Sequence, residues 1–139
     1  MRKNEYTRQW SASLWRAWDC DHMQDVNEVI RTALSGLPCP ASREPAAGAA
    51  EQYVSWFEVS ATPTVHASNA AQRIVHVVQV DIYSKPHYHM LLAEVLLALK
   101  GAGLAVSEWG PEDYEEDTGY HHMPISVGWA QTIGGMNNA

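Results

Sequence analysis

The middle of the chain changes from a period of two to a period of 3.6 within a few residues. From residue 72 to 83 the pattern is typical of a β-strand with one covered face. From residue 88 to 99 apolar side chains recur at the spacing of one helix face. Pro86 separates the two, because it fixes its own φ and disfavours helical backbone at Lys85. The predicted inner strand face is Ile74, His76, Val78, Val80 and Ile82, and the helix stripe is Tyr88, Leu91, Leu92, Val95, Leu96 and Leu99.

Another amphipathic helix is predicted earlier in the chain. Asp25 followed three residues later by Glu28 matches the reciprocal capping pattern of a helix start. Gly36 and Pro38 provide the usual stop. Residues 38–50, rich in Pro, Ala, Gly and Ser, show neither period and are predicted to form a surface loop. The apolar helix face is Val26, Val29, Ile30, Ala33, Leu34 and Leu37.

Three further strands are predicted, at residues 52–60, 104–109 and 120–129, with a long loop at 61–71. The predicted order is therefore α-β-β-α-β-β. The compact solution for that order is an α+β fold in which two helices pack on one face of a four-stranded, mainly antiparallel sheet. In the last strand we expect His121, Met123, Ile125, Val127 and Trp129 to point inward and Tyr120, His122, Ser126 and Gly128 outward.

The two ends of the chain differ from the predicted domain, which spans residues 21–130. Residues 1–20 form a Trp-rich extension in which Trp10, Leu14 and Trp18 are four apart, so a short helix with an aromatic face is plausible. Such a short helix is only marginally stable in water by itself, so it must pack on its own domain or on a neighbouring chain. Residues 131–139 are polar and rich in Gly and Asn, as in a flexible tail.

Composition restricts the classes of function. A formal charge of −7 disfavours tight binding of nucleic acid, because counterion release needs basic residues. The start of the chain lacks the apolar run of a signal peptide, and no run approaches the length of a membrane span. We therefore expect a protein made in the cytoplasm, with no membrane partner and with Cys20 and Cys39 as reduced thiols.

The seven histidines invite a metal hypothesis, but their spacing argues against most of it. His87 and His89 diverge on a helix, and the adjacent His121 and His122 point to opposite faces of a strand. A site built from His76, His121 and a carboxylate stays open, as the basis of a small metal-dependent enzyme. Since no nucleophile elbow, phosphate loop or dinucleotide motif is present, we expect a non-enzyme without cofactor or metal.

The remaining distinctive features lie on predicted surfaces. Met90 and Leu97 lie off the helix stripe, and Val75 and Val77 lie on the outer strand face, so self-association is the economical explanation, although a wider core would also absorb them. A ferredoxin-like ligand-binding module is a further alternative. An acidic turn lacks the ligand pattern of a calcium loop and is by default a solvated charge run. It contains Glu112, Asp113, Glu115, Glu116 and Asp117.

Two segments resemble the tail terminator (tail completion, head-to-tail joining) proteins of long-tailed bacteriophages. The first is Gln-Val-Asp-Ile-Tyr-Ser-Lys at 79–85, preceded by the strand from Tyr53 to Val59. The second is Tyr-Glu-Glu-Asp-Thr-Gly-Tyr-His-His-Met at 114–123. The similarity spans roughly residues 26–129, and its motifs are structural. The Trp-rich start and the loop at 38–50 depart from the family pattern.

The resemblance implies a virion protein at the junction of tail and neck. Its members form a hexameric ring that caps the tail tube, ends tube polymerisation and contacts a neck or head-completion protein, while DNA passes through the lumen. A ring of six such chains would carry a formal charge of −42 (6 × −7), which would repel the DNA backbone. The candidate interface or lumen residues are Trp10, Trp15, Met90, Leu97, Glu112, Asp113, Glu115, Glu116 and Asp117.

Overall fold

The computed structural model describes residues 25–44, 50–65 and 72–132, and the predicted N-terminal helix lies outside them. The described chain is a mixed α+β fold with two helices and a six-stranded sheet. Neither helix is long and apolar enough to cross a lipid bilayer. The elements are α1 (Val26–Ala33) with a 3-10 turn (Leu34–Gly36), β1 (Ala41–Arg43), β2 (Gln52–Val65), β3 (Gln72–Ser84), α2 (His89–Gly101), β4 (Ala105–Trp109), β5 (Asp113–Glu115) and β6 (Tyr120–Thr132).

The sheet has the order β1-β2-β3-β6-β4, and β5 pairs with β6. All pairs are antiparallel except β1 with β2, which is parallel. The predictions of four strands and of the order α-β-β-α-β-β are therefore wrong in detail. The additional strands β1 and β5 have three residues each, which is too short to display an alternating pattern. They lie in the segments predicted as a loop and as an acidic turn.

The β2–β3 hairpin is longer than the sequence pattern indicates. Strand β2 continues past its predicted end at residue 60 as far as Val65, and Ser60 to Val65 pair with Val77 to Gln72. A register shift between Glu58 and Ser60 marks a bulge, which breaks the alternation of side chains. Residues 61–65 of the loop predicted for residues 61–71 are thus strand.

The helices pack on one face of the sheet, as predicted. At the start of α1, the amide of Asn27 donates to Asp25 Oδ1 at 3.0 Å, which confirms the predicted N-cap. The reciprocal half of the capping pattern is absent, since the carboxylate of Glu28 accepts from Arg31 instead. The core contains Val26, Ile30 and Leu34 of the α1 region, Tyr88, Leu91, Val95 and Leu99 of the α2 stripe, and Val54, Trp56, Val78, Val80, Ile82, Met123, Ile125 and Val127 of the strands.

Tyr120 departs from the prediction in its exposure. It lies on the sheet face opposite the helices, as its position in the alternation requires, but it is buried. Its hydroxyl donates to the backbone carbonyl of Ala50, which precedes β2. The chain between β1 and β2 therefore covers part of a face that the pattern predicts to be open.

Candidate interaction surfaces

The face of the sheet opposite the helices carries a stack of aromatic rings. Tyr53 and Tyr83 are cross-strand partners with ring centroids 4.7 Å apart, and His122 stacks on Tyr83 at 4.6 Å. The ring of Tyr120 meets Tyr53 edge-on at 5.3 Å. Lys85 Nζ lies 5.1 Å from the centre of the Tyr120 ring, within cation–π range. We call these rings together with Asp81 the acid–aromatic face.

Asp81 lies at the centre of this face and is buried at 1% exposure. Its Oδ1 accepts hydrogen bonds from Gln79 Nε2 at 2.8 Å and from His122 Nε2 at 2.7 Å. A buried carboxylate needs such donors, because leaving it unpaired would incur the full loss of hydration. The hydrogen bond to Asp81 raises the pKa of His122, against the opposing effect of partial burial.

The hydroxyls of Tyr53 and Tyr83 on this face have raised pKa values. Burial raises the pKa of Tyr83, and the nearby carboxylates of Asp81, Glu44 and Glu115 raise it further. Burial likewise raises the pKa of Tyr53. The face thus combines neutral rings with negative charge, a combination that favours cations over anions.

The His122–Asp81 pair should make the protein more stable at pH 6 than at pH 8. The pKa of His122 in the folded protein is raised above 6.5. The contribution of the charged His122 to the free energy of unfolding is therefore fully present below about pH 6.5 and is lost as pH rises through the folded-state pKa. The variant His122→Gln cannot titrate, so its deficit against the wild type in urea unfolding should be on the order of 1 kcal/mol at pH 6, after allowance for solvent screening, and smaller at pH 8.

The exposed His87 supplies the matched control for this titration. His87→Gln should unfold at the wild-type urea midpoint at both pH values. Asp113 and Glu115 also favour the charged form of His122, so the deficit of His122→Gln includes their attraction beside that of Asp81, which is the largest cause. An equal deficit of His122→Gln at pH 6 and pH 8 would contradict a titrating pair.

An apolar groove lies between α2 and β4. Its volume is about 490 Å³, and two of its side chains are large and unusually exposed, Leu97 at 71% and Trp109 at 51%. Contiguous exposed apolar surface of this kind marks interaction sites in soluble proteins. The groove is lined by Leu96, Leu97, Lys100, Leu104, Ala105, Val106 and Trp109.

Met90 extends this apolar surface along α2. It is 78% exposed and lies seven residues before Leu97, which places both on the same side of the helix about 10 Å apart. The expectation that Met90 and Leu97 lie off the core stripe is confirmed, whereas their role in an interface stays a prediction. Trp10 and Trp15 lie outside the described residues.

The acidic residues divide into two groups. Glu112 accepts hydrogen bonds from Tyr88 Oη at 2.8 Å and from His121 Nδ1 at 3.1 Å, and these bonds, Tyr88's first, lower its pKa. Glu115 accepts from Thr118 Oγ1 at 2.9 Å. Asp113, Glu116 and Asp117 are exposed. Neutralising Glu112 or Glu115 would remove these hydrogen bonds, whereas neutralising Asp113, Glu116 or Asp117 would not.

The histidines of the metal hypothesis are far apart in the folded chain. His76 is paired with Trp129 and His121 with Ser84, so the two histidines are eight positions apart along β3, or about 26 Å at 3.3 Å per residue. His76 instead contacts Glu58 and Gln131. Within residues 25–44, 50–65 and 72–132, no group of three or more His, Cys, Asp or Glu side chains is arranged to hold a metal ion.

Sequence reasoning missed the acid–aromatic face. The alternation of β3 places Asp81 and Tyr83 on the polar side, which predicts solvent exposure rather than a buried carboxylate. The available signal was that aromatic or histidine side chains occur on that same side in β2, β3 and β6. Recognising it requires the register that aligns Tyr53, Tyr83 and His122 in one row.

Comparisons with known proteins give a partial likeness at the level of structure. No protein-family model matches the chain, and no curated protein sequence matches it. The chain is similar to a chain of the virion of a native gene transfer agent particle, at 13% identity and a TM-score of 0.49, over 76% of this chain and 85% of that one.

Proposed function

We propose that this chain is a structural virion protein, not an enzyme, that forms a hexameric ring on the end of a phage tail tube. The ring ends tube polymerisation, joins the tail to a neck or head-completion protein and leaves a passage for DNA. The protein is thus made in the host cytoplasm and resides at the junction of tail and neck.

The observation that carries this proposal is the exposure of apolar side chains at two separate places. One is the α2–β4 surface with Leu97 and Trp109, and the other is Val59 at the bulge of β2, which is 54% exposed. Strands β3 and β6 lie between β2 and β4 in the sheet. A closed ring of identical subunits uses heterologous contacts, which require two different surfaces on each chain.

The sheet edges support the same arrangement. Among the described residues, β4 is paired only on its β6 side, and β2 beyond Trp56 is paired only on its β3 side. Unpaired strand edges are templates for contact with another chain unless they are covered. Each subunit therefore offers one free edge at either end of its sheet to a neighbour.

The two segments that carry the family resemblance meet in space. Asp81 and Tyr83 of the first segment contact His122 of the second, although about forty residues separate them in the chain. A motif pair of this kind specifies how β3 and β6 pack, which is consistent with a structural role. We assign Asp113, Glu116 and Asp117 to the lumen or to docking on a basic ring, since they are exposed and acidic.

Assembly with the cognate tail tube protein tests the proposal. We expect the purified protein to stop the growth of polymerising tubes, to appear as a ring at one tube end in electron micrographs, and to give six copies by native mass measurement of the capped end. The same protein denatured before mixing serves as the control. Tubes that grow to the same lengths with and without the folded protein would overturn the proposal.

A further inference from the structure

We infer that the α2–β4 groove receives residues 10–18 of a neighbouring copy of this chain. This inference rests on the proposed ring and names one of its subunit contacts. The groove has a volume of about 490 Å³, and its lining includes the exposed side chains of Leu97 and Trp109. An occupant must therefore offer large apolar side chains along one edge.

Residues 10–18 have that chemistry. Trp10, Leu14 and Trp18 recur at a spacing of four, which predicts one continuous helix face about 12 Å long at 1.5 Å per residue. An amphipathic helix laid into an apolar groove through such anchors is a recurring mode of recognition. Tryptophan in particular is enriched among the residues that dominate interface energies.

Charge complementarity favours another copy of the chain as the source. Residues 1–18 contain four basic residues and one acidic residue, a formal charge of +3, which leaves −10 for the remaining 121 residues (−7 − 3). Glu94 is exposed one turn before Leu97 on α2. Arg8, two residues before Trp10, can pair with such a carboxylate across a contact between copies.

The reach of the chain also favours a neighbouring copy. Seven residue steps join Trp18 to Asp25, so the span is at most about 25 Å when fully extended. Asn27 accepts a hydrogen bond from Trp56. Trp56 and Trp109 lie in the same row across the sheet, three strands apart, so about 14 Å separates them at 4.8 Å per strand. Since α1 contacts α2 and α2 contacts β4, the direct path within one chain passes over α2, a cylinder about 10–12 Å wide. That path uses nearly the whole span.

Cross-linking between two different variants tests this contact in the full-length protein. In a Cys20→Ser, Cys39→Ser background, one variant carries Ser13→Cys beside the apolar stripe and the other carries Lys100→Cys at the groove. After mixing and treatment with a short bifunctional maleimide, a covalent dimer joining the two variants reports contact between chains. We expect a yield at least several-fold above that of the matched pair Ser13→Cys with Ser35→Cys, whose second cysteine lies in the exposed 3-10 turn.

Two results would overturn the inference. The first is a dimer yield no higher than that of the Ser35→Cys pair. The second is a chain carrying both Ser13→Cys and Lys100→Cys that cross-links only within itself and migrates as a monomer. Native mass measurement of the untreated protein on tube ends separates this question from the ring itself. Six copies without the Ser13–Lys100 link would reject the arm contact alone, whereas a link without six copies would reject the ring.

Discussion

Replacing Leu97 by aspartate should prevent ring assembly while leaving the subunit folded. Leu97 is 71% exposed, so the new carboxylate stays hydrated in the free subunit, and the free energy of unfolding should change by no more than about 0.5 kcal/mol. In an assembled ring the same carboxylate would be buried among apolar side chains at every subunit contact. A penalty of about 3 kcal/mol weakens each contact by about 100-fold.

Native mass measurement and electron microscopy of capped tube ends would detect this loss, and urea unfolding would verify the fold. Ser35→Asp adds the same charge at another exposed position, in the 3-10 turn, and should assemble normally. Leu97→Met keeps the site apolar and should also assemble. A Leu97→Asp protein that caps tubes as the wild type does would exclude the groove from the subunit contact.

Replacing Trp56 by alanine should lower the free energy of unfolding by about 3–5 kcal/mol. Trp56 is fully buried and belongs to the core that joins α1 to the sheet. Its Nε1 donates to Asn27 Oδ1 at 3.1 Å, so the substitution removes both the packed ring and the donor to a buried amide. Equilibrium urea unfolding measures the change, and a loss below about 1 kcal/mol would contradict this packing.

Two related variants separate the contributions of packing and hydrogen bonding. Trp56→Phe keeps most of the ring but removes the donor, so its loss should be intermediate, on the order of 1–3 kcal/mol. Asn27→Ala removes the acceptor from the other side and should be destabilising by a similar amount, because it leaves the indole N–H unpaired. A Trp56→Phe protein as unstable as Trp56→Ala would indicate that the hydrogen bond, and not the ring, dominates.

The helices and central strands were predictable because their patterns are local. The stripe from Tyr88 to Leu99 and the alternation from Ile74 to Ile82 each indicate one covered face. The structure buries Leu91, Val95 and Leu99 together with Val78, Val80 and Ile82. Ile74 and His76 are only half-buried. The end of β2 was not predictable, since the bulge at residues 58–60 reverses the alternation and Pro63 and the polar threonines beyond it resemble a loop. Strand β1 is too short for a pattern and depends on pairing with β2.

The candidate surfaces also divide into features that a local sequence pattern predicts and features that depend on strand pairing. The positions of Met90 and Leu97 off the helix stripe follow from helical geometry, so their exposure was predicted correctly. The groove required β4 to lie beside α2, and Trp109 joined it only through the register of β4 with β6. Likewise Glu112 was assigned to a solvated charge run, but it accepts a hydrogen bond from Tyr88, twenty-four residues earlier in the chain.

The sequence by itself determined the α+β class, the two helix faces and the inner faces of β3 and β6, because hydrophobic periodicity over a few residues shows which side of an element is buried. Tertiary structure alone decided the six-stranded order, the burial of Asp81 beneath Gln79 and His122, and the groove beside Trp109. These features depend on which strand pairs with which and in what register, and such contacts join residues that no local period connects.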